Sequence, residues 1–107
     1  MSSSEEEQEI EPLPKHRVRF SDMPSNLQDI AIRICHKASE NHVLDKELSS
    51  AVQRELNTNP DLKDETAGWH VISGKSFASA ITYQTKWVLF FDLLEDQHKT
   101  FLMFKTQ

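Results

Sequence analysis

A chain of 107 residues, 37% of them hydrophobic, can bury one small core and no more. Its formal charge of −5 sits in the first fourteen residues, where Glu5, Glu6, Glu7, Glu9 and Glu11 stand without a base. Residues 15–107 balance 12 acids against 12 bases, which excludes a global field for nucleic acid or anionic membrane.

Residues 1–14 are too polar and like-charged to offset the cost of ordering and are read as a disordered acidic tail. A folded domain should then occupy 15–107. No signal peptide fits this acidic start, and no apolar run approaches the roughly 20 residues of a membrane helix. From His16 to Phe20 the chain alternates, with Val18 and Phe20 on one side and Arg17 and Arg19 on the other. This predicts a short edge strand with its basic side chains in solvent.

Ser21 or Asp22 is expected to cap a helix over 24–41, with Pro24 tolerated in its first turn. Leu27, Ile30, Ala31, Ile34 and Ala38 recur at three- and four-residue spacing and form its apolar face. Cys35 lies in this run, alone among the residues of the chain as a cysteine, so no internal disulfide can form and a buried thiol is expected. Asp45 is expected to cap a second helix, which Leu48, Ala51, Val52 and Leu56 turn toward the core. After a polar loop come four strands, at 69–73, 76–82, 86–93 and 100–105, rich in β-branched and aromatic residues. The order β-α-α-β-β-β-β describes an α+β fold, two helices on an antiparallel sheet.

The strand at 76–82 is unusual. Ser76, Ser79 and Thr82 interleave with Phe77 and Ile81, so small polar groups leave the backbone accessible. Such an edge pairs readily with another chain.

Signs of catalysis are weak. Gly74-Lys75-Ser76 copies the end of a phosphate-binding loop, but Gly68 and Gly74 enclose five residues instead of four, and these read as a strand. The histidines His16, His36, His42, His70 and His98 show no i, i+4 pair for a metal. A Ser73, His70, Asp92 triad can be written on paper, without a nucleophile elbow to fix it. Trp87, Phe90, Phe91, Phe101 and Phe104 read as core, since no basic groove accompanies them. No cofactor, metal or catalytic residue is expected.

The run Trp69-His70-x-Ile72-x-Gly74-Lys75-x-Phe77-x-Ser79, then Thr82-x-x-Thr85-Lys86 and Phe90-Phe91, resembles the small cytoplasmic dynein light chains of the homodimeric hub type. Asp22-Met23, Asp45-Lys46 and the paired helices follow the same order, so the resemblance covers about 17–105. It implies a non-enzymatic subunit of the dynein motor complex in the cytoplasm and on the microtubule cytoskeleton. It further implies a strand-swapped homodimer in which 76–82 crosses to the partner's sheet and accepts an extended client peptide as a further strand. Clients would include the dynein intermediate chain, often through a Thr-Gln-Thr-like motif whose glutamine meets the start of the second helix.

Carried onto this sequence, the peptide-binding residues are Asp45, Lys46, Lys75, Ser76, Phe77, Ala78, Ser79, Ala80, Ile81, Thr82, Tyr83, Phe90 and Asp92. The dimer interface takes His70, Ser79, Ile81 and Thr82. His70 would lie close to its symmetry mate, so protonation should oppose pairing and the dimer should weaken as pH falls; the plainer reading packs it in its own sheet. Ala80, Tyr83 and Asp92 stand where typical members carry Tyr, His and Tyr, which would alter the side-chain pockets and leave backbone pairing intact. The loop after the second helix and the last hairpin are longer than usual, and the acidic tail is extra. The alternative is a specialised structural dimer module with reduced or altered peptide binding.

Overall fold

A computed structural model describes residues 12–64, 68–75, 85–95 and 98–106. In chain order these form β1 (His16–Ser21), α1 (Ser25–Asn41), α2 (Asp45–Thr58), β2 (Trp69–Gly74), β3 (Thr85–Leu93) and β4 (Lys99–Thr106). The strands make one antiparallel sheet in the order β1-β3-β4-β2. The α+β architecture expected from sequence is therefore present, with helix and strand bounds within a residue or two of those read from periodicity. The expected strand at 76–82 and residues 1–11 lie outside the described residues.

Residues 12–14, assigned to the tail by composition, lie against the fold. Leu13 packs on the core, and the Pro14 carbonyl is 2.7 Å from Nδ1 of His16. An apolar side chain between two prolines gives this short piece something to bury.

Strand alternation divides the sheet into two faces. Trp69, Leu89, Phe91, Leu93, Phe101 and Met103 turn toward the helices and form the core with Ile32, Cys35, Leu48, Val52 and Leu56. The α2 stripe is as its spacing predicts. On α1 the buried residues are Ala31, Ile32, Cys35 and Ala38, while Leu27, Ile30 and Ile34 are only partly covered. The stripe is thus rotated by about one position, because α1 leans on both the sheet and α2.

Neither helix is capped as expected. Pro24 and Leu44 hold the N-cap positions without a side-chain bond. Asp22 instead ties the end of β1 to β3: its carboxylate accepts the Val88 N–H at 2.5 Å, and its own N–H donates to the Val88 carbonyl. The Ser21 hydroxyl oxygen accepts the Met23 N–H. Asp45 is the first helical residue and its carboxylate is engaged elsewhere, as shown below.

Two irregularities matter. Between Val18 and Phe20 the register of β1 slips, so Val18 faces Phe91 and Phe20 faces Phe90. Since Phe90 and Phe91 point to opposite faces, Val18 and Phe20 do too, contrary to the simple alternation. A second slip in β3 spans Lys86 to Leu89, and within it Trp87 has φ of 55°. A bulky residue in left-handed backbone is strained and needs strong surroundings. They are supplied by Lys105, whose ammonium lies 3.8 Å from the Trp87 ring centroid and 5.6 Å from that of Trp69. Lys105 is 4% exposed and is ion-paired to Asp64 at 2.8 Å. The Trp69 indole N–H donates to the Leu62 carbonyl, closing the same corner.

Candidate functional site

The face of the sheet turned away from the helices carries the residues that the sequence singled out. Register places His70, Ile72 and Gly74 of β2 there, opposite Phe104, Leu102 and Thr100 of β4. Phe90 and Asp92 of β3 continue it, opposite Leu102 and Thr100. Val88, Phe90 and Leu102 form a second apolar cluster with Phe104 against it. At its margins Ile72 and Phe20 are 47% and 51% exposed. The His70 ring is exposed and stacks on Phe104, centroids 5.3 Å apart.

Beside this apolar patch is a polar cluster that the sequence reading missed. Asp92 is 6% exposed and accepts hydrogen bonds from three side chains. Arg17 donates from Nη2 at 2.9 Å and from Nε at 3.3 Å, Arg19 from Nε and Nη2 at 2.9 Å each, and the Thr100 hydroxyl at 2.6 Å. Burial pushes the carboxyl pKa up, but the bonds from Arg19, Thr100 and Arg17 and the Arg19 charge outweigh it. The pKa falls to about 2, so the group is ionised at neutral pH. The expectation that Arg17 and Arg19 stay in solvent holds for Arg17 alone: their side chains are 69% and 28% exposed. The Arg19 guanidinium also covers the Phe90 ring at 5.1 Å. The signal was present as two arginines spaced by two on an edge strand, but the aspartate facing them is 73 and 75 residues away.

Asp45 has a structural partner. Its carboxylate holds the Lys99 ammonium at 2.6 Å, the Lys99 side chain being 7% exposed, and its carbonyl accepts from the Ser73 hydroxyl. Together these pin the start of α2 to β4 and β2. Lys46, the next residue, is exposed on the first turn.

The catalytic arrangement considered from sequence is not assembled. Ser73 turns toward the helices and donates to Asp45, His70 lies on the other face, and Asp92 is consumed by its arginines. Gly68 and Gly74 bracket β2, whose backbone is paired with β4 through Gly74. Among the described residues no group of three or more His, Cys, Asp or Glu could hold a metal ion. No helix among them is long and apolar enough to cross a membrane.

The sequence profile of the dynein light chain type 1 family matches residues 15–106. The chain belongs to that family. It is 29% identical over 105 residues to "Dynein light chain, cytoplasmic" of Emericella nidulans, covering 98% of this chain and 99% of the relative. It is 35% identical over 77 residues to "Dynein light chain 1, cytoplasmic" of Candida glabrata, covering 69% and 81%. It is 33% identical over 70 residues to "Probable dynein light chain 2, cytoplasmic" of Caenorhabditis elegans, covering 65% of this chain and 72% of the relative.

For this dynein light chain, the structure brings His70, Phe90 and Asp92 onto one face of the sheet, with Lys75 at the end of β2 beside them. Asp45 and Lys46 lie at the adjoining start of α2. Ser76, Phe77, Ala78, Ser79, Ala80, Ile81, Thr82 and Tyr83 lie outside the described residues.

Proposed function

We propose that this protein is a non-enzymatic, cytoplasmic light chain of the dynein complex that dimerises and binds extended client segments by strand addition along 76–82. The observation that carries this reading is the state of the sheet next to that segment. Among the described residues nothing pairs with the outer edge of β2, and the chain passes from that edge straight through Lys75 into 76. An edge strand with unpaired N–H and C=O groups is stable when another strand completes it. The half-exposed Ile72 and the exposed His70 on the adjacent face give a second chain something to cover. A dimer of this kind presents two equivalent acceptor edges, so a bivalent client gains avidity without new contacts.

Asp92 favours a second reading, a dimer module of narrowed specificity. In the resemblance this position shapes the groove with an aromatic ring; here it is a buried carboxylate locked by two arginines. Backbone pairing is indifferent to that change, whereas the accepted side chains are not.

Calorimetric titration of the full chain with a decapeptide containing Thr-Gln-Thr tests both. Binding in the micromolar range with about one peptide per chain, weakened by Lys46→Ala, supports client capture by strand addition. Absent or millimolar binding by a protein that sediments as a dimer supports the specialised module. A monomer that binds nothing defeats both.

A further inference from the structure

Residues 12–14 lie against α1 rather than leading away from the fold. Pro12, Leu13 and Pro14 share a hollow of about 580 Å³ with Lys37 and Glu40 of α1. Lys37 also borders a second groove, of about 190 Å³, where α1 meets α2. Ile34, Ala38 and Ala51 give that groove an apolar floor, and Lys37, Arg54 and Glu55 stand exposed around it. We propose that the groove between the helices holds residues 5–11 of the same chain, with Ile10 over the alanines and the glutamates beside Lys37 and Arg54.

The exit point and the length of the segment fit this groove. Pro12 is the first described residue, and Lys37 alone separates its hollow from the groove. Leu13 anchors the chain on the core, and the rings of Pro12 and Pro14 restrict the backbone on either side. An extended chain advances about 3.3 Å per residue, so Ile10 reaches about 7 Å from Pro12 and Glu5 about 23 Å. Charge fits as well. Residues 5–11 carry five glutamates and no base, and Ile10 is the one branched apolar side chain among residues 1–11. Of the residues lining the groove only Glu55 is a carboxylate, against the cations of Lys37 and Arg54. The hollow before it is balanced: Glu40 and Glu95 border it together with Arg33, and His36 lies 3.7 Å from each of those carboxylates. Attraction for the glutamates therefore begins at Lys37. Ala38 and Ala51 are 8% and 6% exposed, and their short side chains leave room above the seam for a branched one. A tethered segment meets this surface at high effective concentration, so modest contacts count. The groove belongs to the helix layer, and a tail held there leaves the sheet face of His70 and Phe90 uncovered. The proposal is thus independent of strand addition.

The test uses the full chain with a nitroxide label attached at Ser4→Cys. The Cys35 thiol is wholly buried and stays unlabelled while the chain is folded. Amide signals are compared by nuclear magnetic resonance with the label oxidised and reduced. Ala38, His42 and Ala51 should lose most of their intensity to the oxidised label, while Leu102, on the far face of the sheet, keeps its own. High salt should restore the three signals, as should the Lys37→Glu, Arg54→Glu double variant, whose two positions are exposed. Ile10→Ser should restore them in part. Loss that is equally deep in the double variant, or spread evenly over the surface, marks a tail that does not dock and overturns the proposal. Loss centred on Arg17 and Lys75 places the tail on the sheet and overturns it too. Mixing labelled chains free of nitrogen-15 with unlabelled chains enriched in it separates the two possible sources of the tail. Full signals at Ala38, His42 and Ala51 in that mixture support occupancy by the same chain. Equal loss there assigns the groove to the tail of a second copy and overturns the proposal as stated.

Discussion

At the scale of single residues, Asp92 sets the acid behaviour of this protein. Its folded pKa of about 2 lies below the ordinary value of 3.8, so its stabilisation is complete above about pH 4 and is lost as pH falls toward 2. The shift corresponds to about 2–3 kcal/mol at neutral pH. Asp92→Asn should therefore destabilise the fold by about 2–3 kcal/mol at pH 7, measured by urea unfolding, and flatten the dependence between pH 4 and 2. An unchanged acid limb would assign that limb to other carboxylates. Cys35 gives an independent check of packing. Burial pushes its thiol pKa well up, and the side chain is wholly covered. Labelling by a disulfide reagent at pH 8 should wait on unfolding and become immediate in denaturant.

At the scale of elements, α2 is held by its apolar stripe and by its first residue. Leu48→Ala removes a fully buried side chain and should cost about 2–5 kcal/mol in thermal or urea unfolding. Asp45→Ala leaves the Lys99 ammonium against the Val43 carbonyl alone and should cost about 1–3 kcal/mol. Loss of peptide binding in that variant would thus mix fold and site, whereas Lys46→Ala tests the helix start cleanly. What could be read from sequence follows the same division. Leu48, Val52 and Leu56 announce their element through local spacing, and Cys35 its burial. The Arg17–Asp92–Arg19 cluster, the Lys99–Asp45 pair and the caps depend on which strands become neighbours, and the order β1-β3-β4-β2 is not written in any short window. The slip in β1 shows the same limit, since one extra residue at Arg19 reverses the face that alternation assigns to Phe20. His70, Phe90 and Asp92 entered the sequence reading through the family resemblance, and that they share one face of the sheet follows only from the strand register.

At the scale of the whole molecule, the sheet is asymmetric. Helices cover one face, and the other combines an apolar cluster, exposed margins and the Arg17–Asp92–Arg19 cluster. Sedimentation should report association through that second face. Ile72→Asp replaces a side chain that is 47% exposed within one chain, so it should leave helicity and intrachain stability nearly unchanged while shifting the protein toward monomer. An Ile72→Asp variant that sediments like the parent would place the association surface elsewhere.

Both tryptophans of the chain border Lys105 in one corner, with their ring centroids 6.5 Å apart. Intrinsic emission from this protein is therefore a local optical gauge of the Asp64–Lys105 region, with neither ring in contact with the Arg17–Asp92–Arg19 clamp. Acid release of the arginine clamp should pass unseen by indole fluorescence, yet register in the ellipticity of the peptide bonds. Disagreement between the two spectra during acidification would itself locate where the molecule first loosens.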